Sequence, residues 1–241
     1  MSVLFEDRKQ AGEELVNKLK EYIAYSENKD VIEWSNTKTK DSLLVLAIPR
    51  GGVVLGDVIA SNLHCNLDIV VSKKIGAPFN KELAIGAVMP EGSYFINENI
   101  VKMLNVSKNY IQSEVEHQKK EIERRLKEFR DSTYYYTALK DKVVILVDDG
   151  IATGATILAA SSWIKEGKFE CKKLIVAVPV APSKDDTIDK LNQIADKVII
   201  LHVLQEFSAV GQFYKQFDQV SDDEVKDILN RYNIQNNFNN F

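Results

Sequence analysis

Cysteine and long apolar runs are scarce in this sequence, and each scarcity excludes a class of protein. The two cysteines, Cys65 and Cys171, form neither a metal-binding nor a redox motif, and we expect them to be reduced thiols. No apolar run approaches the length of a membrane-spanning helix, and the N-terminal stretch MSVLFEDRKQ lacks the apolar core of a signal peptide. We therefore expect a soluble, cytoplasmic protein with no membrane partner.

An excess of basic charge is also absent, because the formal net charge is -4. Without a broad positive field the chain has little general attraction for nucleic acid, so any anion site must be built locally. What is present is an ordinary globular composition, 45% hydrophobic and 27% charged, in 241 residues that can bury a substantial core. We expect one domain over residues 1–241 and no nucleic-acid partner.

Apolar runs without alternation follow one another along the chain, separated by segments with helical spacing. The predicted strands are 43–48, 67–74, 143–147, 173–180 and 197–204, and the predicted helices are 7–24, 53–63, 155–167 and 184–195. Continuous apolar strands that alternate with helices are typical of a parallel sheet covered on both faces. The sequence therefore predicts an α/β fold with helices on both faces of a parallel sheet.

A predicted insertion over 76–135 interrupts this alternation. It begins with a hairpin that turns at Pro90-Glu91-Gly92 and continues as a long helix over 107–130. An apolar stripe on that helix must pack either on the chain's own core or on a partner. The stripe consists of Ile111, Val115, Ile122, Leu126 and Phe129.

The stretch VVILVDDGIATGATILAA (143–160) runs from a buried strand into two adjacent carboxylates, Asp148 and Asp149, which we call the acidic pair. In a parallel sheet, ligands bind beyond the carboxyl ends of the strands, where this pair is expected to lie. Two carboxylates accept hydrogen bonds well from a vicinal diol. The acidic pair therefore favours a ligand with neighbouring hydroxyl groups.

A loop of small residues follows the acidic pair and leads into a predicted helix. A helix N-terminus attracts phosphate through its backbone amides and its dipole, glycine and alanine allow close approach, and threonine adds a hydroxyl donor. Because phosphate and carboxylates repel each other, they should contact different parts of one ligand, which predicts a phosphorylated ribose. This small-residue loop comprises Ala152, Thr153, Gly154, Ala155 and Thr156.

Other interpretations fit this stretch less well. No lysine follows Gly154, so the loop is not a nucleotide P-loop, and it lacks the G-x-G-x-x-G of a dinucleotide site. An ordinary strand–turn–helix with an acidic N-cap would explain one aspartate. It would not explain two aspartates followed by threonine and glycine.

The stretch VVILVDDGIATGAT resembles the phosphoribosyl-pyrophosphate signature of type I phosphoribosyltransferases. Ala152 stands where that family usually has threonine or serine, and Gly150 is a second departure, but neither removes a backbone donor. The stretches FEDRKQAGEEL, PRGGVVLG, KKIGAPFNKELAIGAV and AVGQFYKQF extend the resemblance over nearly the whole chain. Together they are similar to one subfamily, the stand-alone predicted phosphoribosyltransferases of bacteria and archaea.

The resemblance implies an enzyme that transfers phosphoribosyl from 5-phosphoribosyl 1-pyrophosphate (PRPP) to a nitrogenous base or related acceptor and releases pyrophosphate. It also implies Mg²⁺, bound mainly through PRPP, and a homodimer, since type I relatives are commonly dimers. No side chain is assigned as a direct metal ligand. Two alternatives stay open: a PRPP-binding regulatory protein without transferase activity, and a hydrolase that passes the ribosyl group to water.

By the same resemblance, Arg50-Gly51-Gly52 would bind the pyrophosphate; we call it the Arg-Gly-Gly loop. A strand that ends in these residues before a helix presents amides and one guanidinium to an anion. Lys73 and Lys74, at the end of the predicted strand 67–74, would reach the same leaving group or simply be solvated. With Arg50 and the acidic pair, these lysines complete the predicted catalytic set.

The aromatic-rich stretch LQEFSAVGQFYKQFDQV opens a C-terminal hood-like segment, 204–241, which includes a short predicted helix at 221–232. It looks like the C-terminal loop of purine phosphoribosyltransferases, in which a phenylalanine stacks on the base and a Val-Gly follows. The resemblance implies an acceptor site at Phe207, Val210 and Phe213, although one extra residue separates Phe207 from Val210-Gly211. The alternative is a hydrophobic cover for the edge of the sheet.

Overall fold

The computed structural model describes residues 3–25, 42–130, 133, 135, 139–167, 169–184 and 186–232. Residues 233–241 of the predicted hood-like segment and several residues near 135 in the predicted insertion lie outside this description. The helices are α1 (Arg8–Tyr25), α2 (Gly51–Leu63), α3 (Glu98–Met103), α4 (Lys108–Arg130), α5 (Ala155–Glu166), α6 (Thr187–Ile194) and α7 (Asp222–Asn230). The strands are β1 (Leu43–Ala47), β2 (Asn66–Ile69), β3 (Lys73–Ala77), β4 (Asn80–Val88), β5 (Tyr94–Ile96), β6 (Val143–Val147), β7 (Lys173–Pro182) and β8 (Lys197–Leu204).

A five-stranded parallel sheet in the order β2-β1-β6-β7-β8 forms the centre of the structure. Every residue of β1 and β6 is buried, as expected for continuous apolar strands covered on both faces. The observed bounds of β6 and β8 agree with the predicted strands, and β7 continues to Pro182. The predicted α/β fold is therefore confirmed.

The strand order reverses between β1 and β6, and this reversal determines where the helices lie. The unit β1–α2–β2 extends the sheet in one direction, and β6–α5–β7–α6–β8 extends it in the other. Because crossovers between parallel strands are right-handed, the two units place their helices on opposite faces. The loops that follow β1 and β6 consequently lie side by side at a topological switch point, where α/β sheets bind ligands.

The predicted strand 67–74 is wrong, because two different strands occupy that range. Strand β2 ends at Ile69, and one more bond to the sheet follows, from the amide of Val70 to the carbonyl of Ala47 at 2.9 Å. The chain then leaves the parallel sheet, and Lys73 opens β3 of a separate antiparallel sheet in the order β3-β4-β5. The apolar residues continue from β2 through Val70 and Val71, so the sequence pattern does not indicate where the chain leaves the sheet.

The apolar stripe of α4 is buried within this chain: all five predicted positions are buried. The apolar face of the helix therefore packs on the core of its own chain, and the stripe gives no support to the predicted homodimer. That assembly stays a prediction.

A buried ion pair fixes the C-terminal end of α4 to the sheet. Arg130 donates from Nε to Asp68 Oδ1 at 2.6 Å and from Nη2 to Oδ2 at 2.7 Å, with both side chains at most 2% exposed. The guanidinium lies 4.0 Å from the ring centroid of Tyr135, whose hydroxyl donates to the carbonyl of Ile69 at 2.8 Å. Buried charges require such complete pairing.

The two ends of the described chain are joined by a clasp between residues 4–6 and 213–216. The amides of Leu4 and Phe5 donate to the carbonyl of Phe213 at 2.9 and 3.0 Å. In the other direction, the amides of Lys215 and Gln216 donate to the carbonyls of residues 5 and 6. This clasp holds the start of α1 against the hood-like segment. None of the helices described here has both the length and the apolarity needed to cross a bilayer.

Candidate active site

The acidic pair lies directly beyond the carboxyl end of β6, and Asp149 makes an ion pair with a residue of α1. The backbone amide of Asp149 donates to Asp148 Oδ1 at 2.8 Å, while Arg8 Nε donates to Asp149 Oδ2 at 2.9 Å. Burial, and then repulsion from Asp149, raise the pKa of Asp148 well above its ordinary value. Burial also raises the pKa of Asp149, although Arg8 opposes that shift.

The Arg-Gly-Gly loop approaches the acidic pair closely because β1 and β6 are paired to their ends. Ala47 lies opposite Val147, and the next amide, that of Ile48, donates to the carbonyl of Val147 at 2.9 Å. A Cβ on Gly51 would overlap the carboxylate of Asp149, and one on Gly52 would lie 2.9 Å from the carbonyl oxygen of Val147. Glycine is therefore required where the two loops meet.

Arg50 precedes these glycines and is already paired with a carboxylate. Its Nη1 atom lies 3.3 Å from Oδ1 of Asp222, the first residue of α7. The Arg50 side chain is 29% exposed, so the guanidinium is accessible from solvent. The peptide bond between Pro49 and Arg50 is cis.

The small-residue loop leads into the N-terminus of α5 as predicted. Gly154 is the N-cap residue and adopts a left-handed φ of 73°, and it makes no side-chain capping bond because it has no side chain. Backbone amides at such a helix N-terminus suit an anion. Ala152 and Thr153 are exposed, and a Cβ on Gly154 would overlap Thr187 of α6.

Lys73 and Lys74 do not end a strand of the parallel sheet. They open β3, where Lys73 pairs with Val88 and Lys74 with Ala87 across the antiparallel ladder. The Lys73 ammonium lies 3.8 Å from Glu121 on α4, and burial together with nearby arginine charge lowers its pKa. Lys74 contacts the exposed Glu82 at 2.8 Å. Their contact with a leaving group stays a prediction.

The predicted acceptor residues lie in the hood-like segment, and one of them, Val210, contacts the loop after β6. Val210 packs over Gly150, since a Cβ on that glycine would lie 2.7 Å from Val210 Cγ1. The ring centroids of Phe207 and Phe213 are 5.0 Å apart, with Phe207 half-buried and Phe213 only 3% exposed. The buried Phe213 ring thus packs against the Phe207 ring, and direct contact of either ring with an acceptor stays a prediction.

Arg8 is a site residue that the sequence reasoning missed. Besides its bond to Asp149, it donates from Nη1 to the carbonyl of Asp218 at 2.8 Å. Its guanidinium carbon lies 3.8 Å from the ring centroid of Phe217. The stretch FEDRKQAGEEL contributed to the family resemblance, yet nothing in that stretch connects Arg8 with a carboxylate 141 positions away.

The acidic pair has the chemistry that Mg²⁺ prefers, since carboxylates are hard oxygen donors and this cation retains several waters. Over the residues that the structure describes, there is no group of three or more His, Cys, Asp or Glu side chains that could hold a metal. The donor set therefore fits a magnesium ion that obtains most of its ligands from a substrate and from water.

Comparison with known proteins identifies the family. The family model for the phosphoribosyl transferase domain matches residues 10–213. The chain belongs to this family. The family predicted from the sequence is thus confirmed.

Two curated members of the phosphoribosyl transferase family in Mycobacterium tuberculosis resemble the chain. They are "Putative phosphoribosyl transferase Rv0571c" (strain ATCC 25618 / H37Rv) and "Putative phosphoribosyl transferase MT0597" (strain CDC 1551 / Oshkosh), each 34% identical over 228 residues, or 95% of this chain. The match covers 47% of each relative, so the chain spans about half of their length. The crystal structure of TT1426 from Thermus thermophilus superposes with a TM-score of 0.70 at 31% identity, over 95% of this chain and 99% of that one.

Proposed function

We propose that the protein transfers phosphoribosyl from PRPP to a nitrogenous base or related acceptor and releases pyrophosphate. One observation carries the proposal: three predicted parts of a donor site follow two adjacent strands at the point where the sheet order reverses. These parts are the Arg-Gly-Gly loop after β1, the acidic pair after β6 and the small-residue loop before α5.

Each part suits a different portion of PRPP. The small-residue loop and the N-terminus of α5 bind the 5′-phosphate through amides and threonine hydroxyls. The acidic pair accepts hydrogen bonds from the two ribose hydroxyls. The Arg-Gly-Gly loop binds the pyrophosphate through its amides and Arg50, with Lys73 and Lys74 as further candidates for that leaving group.

The chemistry needs little beyond this binding. As pyrophosphate departs, positive charge develops on the ribose ring, as it does in glycoside cleavage. The amides of the Arg-Gly-Gly loop and Arg50 stabilise the departing anion, and the acidic pair holds the ring in place for attack. Together with PRPP, Asp148 and Asp149 would hold a Mg²⁺ ion, which would supply positive charge to neutralise the pyrophosphate.

The acceptor site is proposed at Phe207, whose half-buried ring is supported by Phe213 and lies in the same segment as Val210. An aromatic face beside the donor site suits a planar base, since stacking tolerates many different bases. This position leaves the identity of the base open.

The test is an assay of pyrophosphate release from PRPP and Mg²⁺ with a panel of purine and pyrimidine bases, and with none. The Asp148→Asn/Asp149→Asn double variant provides the background rate. Release that depends on one class of base supports transfer. Equal release without any base would identify a hydrolase, and PRPP binding without release would favour a regulatory protein.

The assembly and the location of the protein are separate predictions. A homodimer is expected from the family resemblance, and light scattering at high protein concentration would refute it by giving the monomer mass of 27.3 kDa. The cytoplasmic location predicted from the cysteine content stays a prediction.

A further inference from the structure

We propose that Arg8 is a positioning residue for the donor site: it orients the Asp149 carboxylate against the Arg-Gly-Gly loop and couples that carboxylate to the hood-like segment. This inference rests on the proposed function, because it assigns a role within the PRPP site. It concerns the stretch FEDRKQAGEEL, to which the proposed function gives no task.

The guanidinium of Arg8 is fixed on three sides. Nε donates to Asp149 Oδ2 at 2.9 Å, Nη1 donates to the carbonyl of Asp218 at 2.8 Å, and the guanidinium carbon lies 3.8 Å from the ring centroid of Phe217. The Arg8 side chain is 11% exposed. A planar, forked cation can make all three contacts at once, whereas a lysine ammonium would lose the stacked geometry and one fixed donor.

The Asp149 oxygen that Arg8 contacts is the one that also faces the Arg-Gly-Gly loop. A Cβ on Gly51 would overlap Asp149 Oδ2 and would lie 3.0 Å from Arg8 Nε. The orientation of this carboxylate therefore affects both the ribose and the pyrophosphate parts of the proposed donor site. A rotation of the Asp149 side chain would move Oδ2 away from its close contact with Gly51 in the Arg-Gly-Gly loop.

Arg8 also has an electrostatic role, because the Asp149 side chain is only 16% exposed and a buried carboxylate needs a partner for its charge. Asp149 is faced by Asp148 at the end of β6, by Arg8 from α1 and by the hydroxyl of Tyr214 from the hood-like segment. Burial opposes the ionised form of Asp149, whereas the guanidinium of Arg8 stabilises that form. Arg8 thus favours a charged, fixed Asp149.

The position of Arg8 is built into the fold. Arg8 begins α1 immediately after the clasp, in which residues 4–6 bond to residues 213–216. Asp218 and Phe217, the other two contacts of Arg8, follow the clasp directly on the hood-like segment. The clasp therefore positions Arg8, Phe217 and Asp218 together beside the acidic pair.

The experiment is a calorimetric titration of PRPP with Mg²⁺ into the wild type, Arg8→Lys, Arg8→Met and a control, Lys215→Met. Lys215 belongs to the same clasp, but its side chain is 64% exposed and pairs with Glu6. Arg8→Met should weaken PRPP binding by about tenfold to a hundredfold, as expected for loss of a charge-assisted hydrogen bond. Arg8→Lys should recover part of that loss, and Lys215→Met should bind like the wild type.

A double-variant cycle separates positioning from direct contact with PRPP. If Arg8 acts through Asp149, adding Arg8→Met to Asp149→Asn should weaken binding by less than about threefold more. A fully additive loss would show that Arg8 contacts PRPP itself and would overturn the inference. Should Arg8→Met fail to fold, Arg8→Lys with wild-type affinity would overturn it as well.

The outcomes also distinguish this inference from the proposed function. A wild-type protein that does not bind PRPP overturns both. If the wild type binds PRPP and both Arg8→Met and Arg8→Lys bind it with wild-type affinity, the positioning role alone is overturned.

Discussion

The hydroxyl of Tyr214 donates a hydrogen bond to the main-chain carbonyl of Asp149 at 2.7 Å. The Tyr214 ring stacks on Phe217, with centroids 5.0 Å apart, and contacts Phe5 across the clasp. Burial, and then the negative charge of Asp149, raise the pKa of the Tyr214 hydroxyl. The hood-like segment and the backbone of the acidic pair are therefore one packed unit.

Tyr214→Phe should lower the melting temperature of the protein by about 2–4 °C, because the loss of one buried hydrogen bond costs about 1 kcal/mol. The backbone of Asp149 then loses its support from the hood-like segment, so PRPP affinity should fall as well. Tyr94→Phe removes a hydroxyl from a side chain of which nearly half is exposed and is the matched control. Equal melting temperatures for the two variants in calorimetry would contradict this account.

Asp148→Asn should stabilise the unliganded protein while it weakens PRPP binding. A carboxyl whose pKa is raised in the folded state contributes stability below its unfolded pKa, and that contribution is lost as pH rises through the folded pKa. At about pH 8, far above the unfolded pKa, the Asp148 carboxyl therefore lowers the stability of the fold, and asparagine removes the ionisable group while it keeps an oxygen for the Asp149 amide.

The expected gain for Asp148→Asn is a rise in melting temperature of about 2–4 °C for each kcal/mol recovered. The gain should shrink as pH falls toward about 4, where the unfolded carboxyl also takes up a proton. Calorimetry without PRPP across this pH range checks both statements. A variant less stable than the wild type at about pH 8 would show that the charge is not a cost to the fold.

Thr153→Val should weaken binding of ribose 5-phosphate, a probe that retains the 5′-phosphate but lacks pyrophosphate. The loss of a hydroxyl donor to a charged group is expected to reduce affinity by about tenfold to a hundredfold. Thr156→Ser, which keeps its hydroxyl, is the control. Gly154→Val is a poorer test because any Cβ there would overlap Thr187 and disturb α6. Unchanged affinity in Thr153→Val would place the phosphate elsewhere.

Phe207→Ala should raise the KM for the acceptor by about tenfold to a hundredfold, since stacking on a base contributes about 1–3 kcal/mol. PRPP affinity should hardly change. Phe213→Ala provides the contrast: this ring is 3% exposed, and its truncation should cost about 3–5 kcal/mol of stability. Wild-type acceptor kinetics in Phe207→Ala would identify this stretch as a cover for the core and direct the search for the base to 76–100.

Local sequence patterns predicted most of the fold and several parts of the candidate site. The run Val143–Val147 is apolar throughout, so its bounds and the position of the acidic pair could be predicted. The predicted strand 67–74 was wrong because the apolar pattern continues past Ile69, and only hydrogen bonding reveals that β3 belongs to another sheet.

Contacts between distant residues could not be predicted in this way. Arg8 and Asp149 are 141 positions apart, and Arg50 and Asp222 are 172 positions apart. Each pair depends on how the clasp and α7 pack on the parallel sheet, which periodicity along one chain does not encode. The sequence therefore indicated that Arg50 could bind an anion, but it indicated neither the pairing of Arg50 with Asp222 nor any role for Arg8.

The central claim is that PRPP binds where the acidic pair meets the Arg-Gly-Gly and small-residue loops. The most direct measurement is a calorimetric titration of PRPP with Mg²⁺ into the wild type and into the Asp148→Asn/Asp149→Asn double variant. The account predicts saturable binding by the wild type and a loss of at least about a hundredfold in the double variant, as expected when two hydrogen-bonding carboxylates are neutralised. A folded double variant that binds PRPP with wild-type affinity would contradict the account.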